Sequence, residues 1–486
     1  MSDDSQESAR FFHDFGFYSV ARIVPAVLGV VALVVFTRAF SPSAYGKYSL
    51  TMAFVSIFTL LNTGWLEQAI LRFEPQADDT TFRDTTATIL LSLTTVAALV
   101  GGLGYVSFFP RSSAYSRFYL GGLSLILLQG VFTTLRTFLR SRLESRRVAI
   151  YNVVQAGTKL GAALLLALFV LGDIVGWLWG TVVGTSIATA LLLYRTELTR
   201  ASIEIDRELV GKMFRYGYPL IGMTLGYVLL NFADRILLEL LKSSRAVGIY
   251  SSNYSIVNRG LPLVLAPIIQ AAHPLIMNTW TGDNEEELGE LLETYTRYFL
   301  LLGVPATVYA TVLSRPLSVL FLGDSYHQGY VVIPLVAWGV LLWNLASLGS
   351  KTLEVKNRTL TLFAGVTAAV VLNLLLNLLF IPPYGYVGAA FATFTSFTFY
   401  LVFVLLISRR YIEWRFPRRT TANVVVGGTL MSAPSAVLVL LGEYTWLTAL
   451  STAIPSGLVY VATIYLLGEL RDQEIAKSKA LAANRW

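Results

Sequence analysis

Cysteine is absent from this 486-residue sequence. Disulfides, iron–sulfur clusters and thiolate nucleophiles are excluded with it. Histidine is nearly absent. His13, His273 and His327 stand far apart, so no metal cluster and no other cofactor is expected. No G-x-x-x-x-G-K-[ST] phosphate loop occurs, so ATP hydrolysis by this chain is not expected. Charge is scarce too. Asp, Glu, Lys and Arg make up 14% of residues, against roughly 25% in soluble proteins. What fills the chain is apolar: 55% hydrophobic residues, with a mean hydropathy of +0.61. Runs of about 20 apolar residues recur, the length that crosses a bilayer as a helix. The fold class expected is all-α, a polytopic membrane protein.

Fourteen spans can be drawn, near 15–40, 46–71, 85–110, 115–139, 150–171, 174–195, 213–241, 246–277, 295–314, 328–349, 359–381, 385–408, 421–441 and 445–468. Cytoplasmic segments collect Lys and Arg. With the N-terminus inside, 25 of the 37 basic residues fall in inner segments, 7 in outer turns and 5 within spans. Both ends are therefore expected in the cytoplasm, in the cell membrane. The inner loops account for the net charge of +7, which carries no nucleic-acid signal. Met1–Asp14 is polar and the first apolar run carries Arg22, so a cleaved signal peptide is not expected. The loops are short. The acidic Glu285-Glu286-Glu287 with Glu290 reads as the solvated start of an amphipathic helix.

Two motifs repeat. Gly46-Lys47-Tyr48-Ser49 after the first span returns as Gly248-Ile249-Tyr250-Ser251 after the seventh, 202 residues on. Val175-Gly176 opening the sixth span returns as Val387-Gly388 opening the twelfth, at offset 212. A duplicated unit of six spans follows. An even number of spans inserts both copies in the same orientation, so the repeat is parallel, with a substrate site expected between lobes near midplane. The organisation expected is an N-terminal lobe at 1–212, a second lobe at 213–410, and two further spans with a tail at 411–486.

Ionisable residues within spans are expensive and mark function. Lys159 and Arg259 fall near the middles of spans 5 and 8, with no carboxylate three or four residues away. Arg22 lies about 9 Å inward of the middle of span 1, and Arg235 about 12 Å outward of the middle of span 7. Arg136 and Glu67 lie closer to the inner surface, where snorkelling or pairing is the simpler reading. Asp234 and Arg235, with Asn231 and Glu239 on the same helical stripe, read as an outer gate or a structural ion pair. Midplane cations suit phosphate or pyrophosphate. Asn62, Asn152 and Asn253 are candidates to contact sugar hydroxyls, as are Gln129, Gln155, Asn231 and Asn258, although each also suits an interhelical hydrogen bond.

Three stretches carry a family resemblance. The first is Arg38-Ala39-Phe40-Ser41-Pro42-Ser43-Ala44-Tyr45-Gly46-Lys47-Tyr48-Ser49. The second comprises Tyr216-Gly217-Tyr218-Pro219-Leu220, Asp234-Arg235 and Val247-Gly248-Ile249-Tyr250-Ser251. The third comprises Asn373, Asn377 and Ile381-Pro382-Pro383-Tyr384-Gly385-Tyr386-Val387-Gly388-Ala389-Ala390. Together they resemble the polysaccharide flippases of the multidrug/oligosaccharidyl-lipid/polysaccharide exporter superfamily, along essentially the whole chain. The resemblance implies two six-helix bundles that alternate access, moving a polyprenyl- or dolichyl-linked oligosaccharide for surface polysaccharide or glycoprotein glycan assembly. It implies a transporter, not an enzyme, with Arg22, Lys159 and Arg259 as cavity cations. The expected partners are the lipid-linked oligosaccharide, membrane lipids, glycan-assembly proteins and Na+ or H+ as a coupling ion. The rival readings are a cation-coupled multidrug exporter of the same fold, an integral-membrane glycan polymerase or glycosyltransferase, and a scaffold for glycan assembly.

Overall fold

The computed structural model describes residues 23–76, 79–108, 114–196, 201–280, 284–442 and 445–469. Among these, the elements are helical throughout. They are α1 Ile23–Ala39, α2 Pro42–Phe73, α3 Asp79–Phe108, α4 Ala114–Ser141, α5 Ser145–Leu165, α6 Ile174–Arg195, α7 Arg207–Leu241, α8 Ser244–Thr279, α9 Glu285–Val312, α10 Ser314–Phe321, α11 Val332–Val355, α12 Thr359–Tyr384, α13 Tyr386–Ser408, α14 Arg418–Leu440 and α15 Trp446–Leu466. Twelve are long and apolar enough to cross a membrane, and a thirteenth is added if the bent pair α9–α10 counts as one span. Backbone N–H and C=O groups find no water in a bilayer, so each apolar run satisfies its own as a helix.

Local chemistry sets the ends. Ser41 caps α2, with Pro42 in its first turn. Asp206 accepts from the backbone N–H of Glu208 and Leu209 to start α7. Gly385 takes φ +57° between α12 and α13, a conformation that favours glycine in the Ile381–Gly385 link. Span 9 differs in detail from expectation. The helix begins at Glu285, then bends by 75° into the short α10. Span 10 starts later than drawn, because Asp324–Val331 forms a 3₁₀ turn before α11.

The chain forms two compact units, one ending at Ser252 and one beginning at Asn253. In the first, α4 packs on α3 and α6, and α5 packs on α6. In the second, α11 packs on α9 and α13, and α12 packs on α13. The same pairing thus recurs with each helix replaced by its counterpart six spans on. The final pair, α14 and α15, packs together, with α14 against α9.

Repeated glycines mark where helix backbones meet, the usual device for close packing in lipid. Gly180 and Gly184 bring α6 onto α5, and Gly176 brings it onto the Leu166–Val170 turn that follows: a Cβ on Gly180 would stand 2.3 Å from the Cα of Ala163. Gly388, the counterpart of Gly176, brings α13 onto α12, where a Cβ would stand 2.2 Å from the Phe380 carbonyl oxygen. Within the first unit the motif glycines Gly46 and Gly248 meet each other. A Cβ on Gly46 would lie 1.8 Å from the Ser244 carbonyl oxygen, and one on Gly248 would lie 1.8 Å from that of Pro42. Each glycine thus faces the carbonyl four residues before the other. This is the reciprocal contact expected of two copies of one motif packed about a two-fold axis.

A helical Gly→Ala change normally gains about 1 kcal/mol. Gly46→Ala and Gly248→Ala should instead each lose about 1–3 kcal/mol through overpacking. Gly102→Ala, where nothing lies within 4 Å, should be neutral or stabilising. Thermal unfolding of the purified variants separates the two groups.

Candidate functional site

The helical hairpin α4–α5 builds a polar seam. Gln129, Thr133 and Arg136 lie on one face of α4, spaced by four and three residues. Asn152, Gln155 and Lys159 lie on one face of α5. The hairpin turns near Glu144. Residues equally far from that turn therefore meet across the antiparallel pair. Fifteen residues either side, Lys159 Nζ donates to Gln129 Oε1 at 3.0 Å. Eight residues either side, Arg136 Nη1 donates to Asn152 Oδ1 at 3.2 Å. Gln155 Nε2 also donates to Gln129 Oε1, at 3.2 Å. On α2, Glu67 joins the seam through Thr133 and stands within the field of Arg136 and Arg140. Thr63 Oγ1 reaches Glu67 Oε1 at 3.5 Å.

The backbone of α6 fixes the direction of Lys159. A Cβ on Gly184 would lie 2.5 Å from the Cα of Lys159, and Thr158 Oγ1 donates to the Gly184 carbonyl at 2.8 Å. With α6 pressed against its back, Lys159 extends toward α4. Its recorded polar partner is a neutral amide. A neutral acceptor solvates an ammonium without neutralising it, so the positive charge stays available to an anion.

The other expected residues fall elsewhere. Asn62 is half-buried and faces a separate cavity bounded by α2, α3 and α4. Asp234 and Arg235 are buried at the end of α7 and reach side chains on α8, while the Arg235 guanidinium also lies 4.6 Å over the Phe232 ring of α7. Tyr250 Oη donates to Asp234 Oδ2 at 2.5 Å, and Arg235 Nε donates to Ser251 Oγ at 3.0 Å. The Tyr-Ser of the repeated motif thus holds the Asp-Arg pair, again eight residues either side of a turn. Glu239 accepts from Ser244 Oγ at 2.7 Å.

In the second unit, Asn253 is fully buried and donates to the Tyr326 carbonyl at 3.1 Å. Arg259 is half-buried on α8 and has no polar partner among the described residues. Arg22 and His13 lie outside the described residues. No group of three His, Asp or Glu side chains among the described residues could hold a metal ion.

Arg136 was missed as a member of this seam. The signal was available: the hairpin turn at 144 pairs it with Asn152 by simple counting along two antiparallel helices.

Residues 11–280, more than half of the chain, match the family described as Polysaccharide biosynthesis protein. The chain belongs to this polysaccharide biosynthesis family. Residues 219–379 also match the family described as MatE. Among related sequences, the "Probable low-salt glycan biosynthesis flippase Agl15" of Haloferax volcanii is 22% identical, over 92% of this chain and 94% of its own length. The "Uncharacterized membrane protein MJ1068" of Methanocaldococcus jannaschii is 21% identical, over 49% of this chain. The match spans about half, 47%, of that relative's length. Among solved structures, "Lipid II flippase MurJ, inward closed conformation" superposes with a TM-score of 0.77 at 14% identity, over 92% of this chain and 98% of its own. At that identity the likeness concerns the fold, a polytopic helical one.

The Arg136–Asn152 contact should be worth about 1.5 kcal/mol. A double-mutant cycle with Arg136→Leu and Asn152→Leu, read by thermal unfolding, should show coupling of that order. Additive losses would place the two side chains apart.

Proposed function

We propose that this protein is a flippase that moves a lipid-linked oligosaccharide, carried on a polyprenyl or dolichyl phosphate or pyrophosphate, across the cytoplasmic membrane by alternating access. The observation that carries the reading is Lys159: a mid-span cation whose recorded partner is a neutral amide, in a member of the polysaccharide biosynthesis family. Agl15, a relative along nearly its whole length, is named as a probable glycan biosynthesis flippase, which agrees with this reading.

Lys159 and Arg259 are assigned to the phosphate, with Arg136 and Asn152 beside Lys159. Arg22 is a third candidate cation. Asn62 and Asn253 are kept as candidate sugar contacts, Asn253 with a framework role besides. Asp234 and Arg235, held by the α8 motif, act as the outer gate or structural pair. The lobes are 1–212 and 213–410, with 411–486 appended, and both termini lie in the cytoplasm. The chain itself makes and breaks no covalent bond. Movement draws on an Na+ or H+ gradient, the membrane potential or removal of product. Proteins of glycan assembly would supply the substrate and consume the product.

The match to the MatE family favours a second reading, a cation-coupled multidrug exporter. Cationic drugs call for carboxylates at midplane, whereas Lys159 and Arg259 place positive charge there.

In a deletion strain, unflipped lipid-linked glycan should accumulate, and the wild-type gene should clear it. Lys159→Glu and Arg259→Glu should fold normally yet lower flux more than about tenfold, since a charge-assisted contact is worth about 1.5–3 kcal/mol. Normal flux in both variants would sink the assignment of these cations. The cysteine-free sequence makes topology readable as well. A single cysteine at Lys242 should react with an impermeant thiol reagent in intact cells, and one at Arg146 only after permeabilisation.

A further inference from the structure

A cavity of about 770 Å³ lies between α2, α3 and α4, and none of the polar-seam side chains lines it. It runs along α2 from Lys47 to Asn62, about 22 Å at the helical rise. That volume over that length makes an elongated slot with room for one extended, branched hydrocarbon chain. Lys47, Thr51, Phe54, Phe58 and Asn62 recur on α2 at helical spacing and face it. Two close approaches shape the walls. Tyr119 Oη donates to the Gly101 carbonyl at 2.9 Å, drawing α3 onto α4. A Cβ on Gly122 would stand 3.1 Å from Thr51 Cγ2, so α4 also touches α2. Exposed apolar side chains at the rim, Phe58 and Val100 among them, face where lipid would lie.

The lining is apolar except near its ends. Lys47 is its one charged residue among the described residues. Lys47 Nζ stands 5.5 Å over the Tyr115 ring, and no carboxylate is paired with it among the described residues. Lys47, Phe108 and Tyr115 mark one end of the passage, and Asn62, Ala97 and Ile126 the other. Under the topology proposed above, the Lys47 end faces outward.

We propose that this slot binds the isoprenoid chain of a polyprenyl phosphate lipid, with its phosphate against Lys47. This deepens the flippase reading and rests on it: the slot holds the carrier lipid on the outward side while its head group leaves the translocation path. An elongated apolar slot with a single cation at its mouth matches a long-chain anionic lipid. Along the apolar stretch between Thr51 and Asn62 a sugar would leave its hydroxyls unsatisfied. A phospholipid would have a second chain to place.

The test uses the purified full-length protein in nanodiscs, with native mass spectrometry of retained lipid. Decaprenyl phosphate, decaprenol and phosphatidylglycerol compete at equal concentration. Decaprenyl phosphate should be retained about tenfold over decaprenol, the scale of one charge-assisted contact, and also above phosphatidylglycerol, which shares the phosphate but has a second chain to place. Lys47→Gln should remove the preference over decaprenol, and Lys47→Arg should keep it. Ala97→Trp, which fills the deep end, should lower retention of both isoprenoids while leaving thermal stability near wild type. Equal retention of phosphatidylglycerol would make this an ordinary lipid contact and overturn the proposal. So would decaprenyl phosphate binding that neither Lys47→Gln nor Ala97→Trp changes. Failure of the flippase reading looks different: decaprenyl phosphate binds as described, but the wild-type protein translocates no lipid-linked glycan.

Discussion

A lysine ammonium at the middle of a membrane helix has to be solvated by the protein itself. That constraint organises the first compact unit. Lys159 reaches Gln129, and Gln155 shares the same acceptor. Farther along, Arg136 reaches Asn152, and Glu67 stands nearby through Thr133. Both cations bond to amides, and the carboxylate bonds to hydroxyls. At Lys159 this keeps the charge without cancelling it, which is what a reversible anion site needs, whereas Arg136 shares its surroundings with the Glu67 carboxylate. Tight salt bridges at the same places would stabilise the helices but would compete with a substrate phosphate.

The seam depends on how closely helices can approach, and glycine sets that distance. Gly184 lies against the backbone of Lys159 and turns its side chain toward α4. Gly176 and Gly388, equivalent positions in the duplication, do the same work in their own units. Gly46 and Gly248 go further, because the two copies of the motif touch each other. Just after Gly248, Tyr250 and Ser251 hold Asp234 and Arg235. In its second copy the four-residue motif thus meets two demands: a backbone contact at its glycine and a polar clamp just after it.

Much of this was legible in the sequence. Apolar runs located the spans, because a bilayer imposes both their length and their helical form. The repeat was visible since glycine contacts tolerate no other residue. Contacts across hairpins were harder. Arg235 shares a stripe with Asn231 and Glu239, which suggests partners on its own helix, yet Ser251 lies on the next one. Arg136 looked interfacial by depth alone, and only pairing by distance from the turn at 144 brings it to Asn152. The 75° bend after Val312 and the 3₁₀ turn before α11 were not legible, since hydropathy reports burial and not direction. Lys47 follows the first apolar run in the sequence. Its place on one face with Phe54 and Phe58 was the available sign of a lined cavity.

The central claim is that this chain moves a lipid-linked oligosaccharide through a path whose cations meet the phosphate. Reconstitution tests it most directly. Proteoliposomes carrying the purified protein and a lipid-linked oligosaccharide are treated with an impermeant glycosidase. Without protein, only glycan in the outer leaflet is cleaved, about half of the total. With wild-type protein nearly all should be cleaved, and with Lys159→Glu the fraction should return to about half. A wild-type fraction that stays at half, or a Lys159→Glu fraction that matches wild type, would contradict the account.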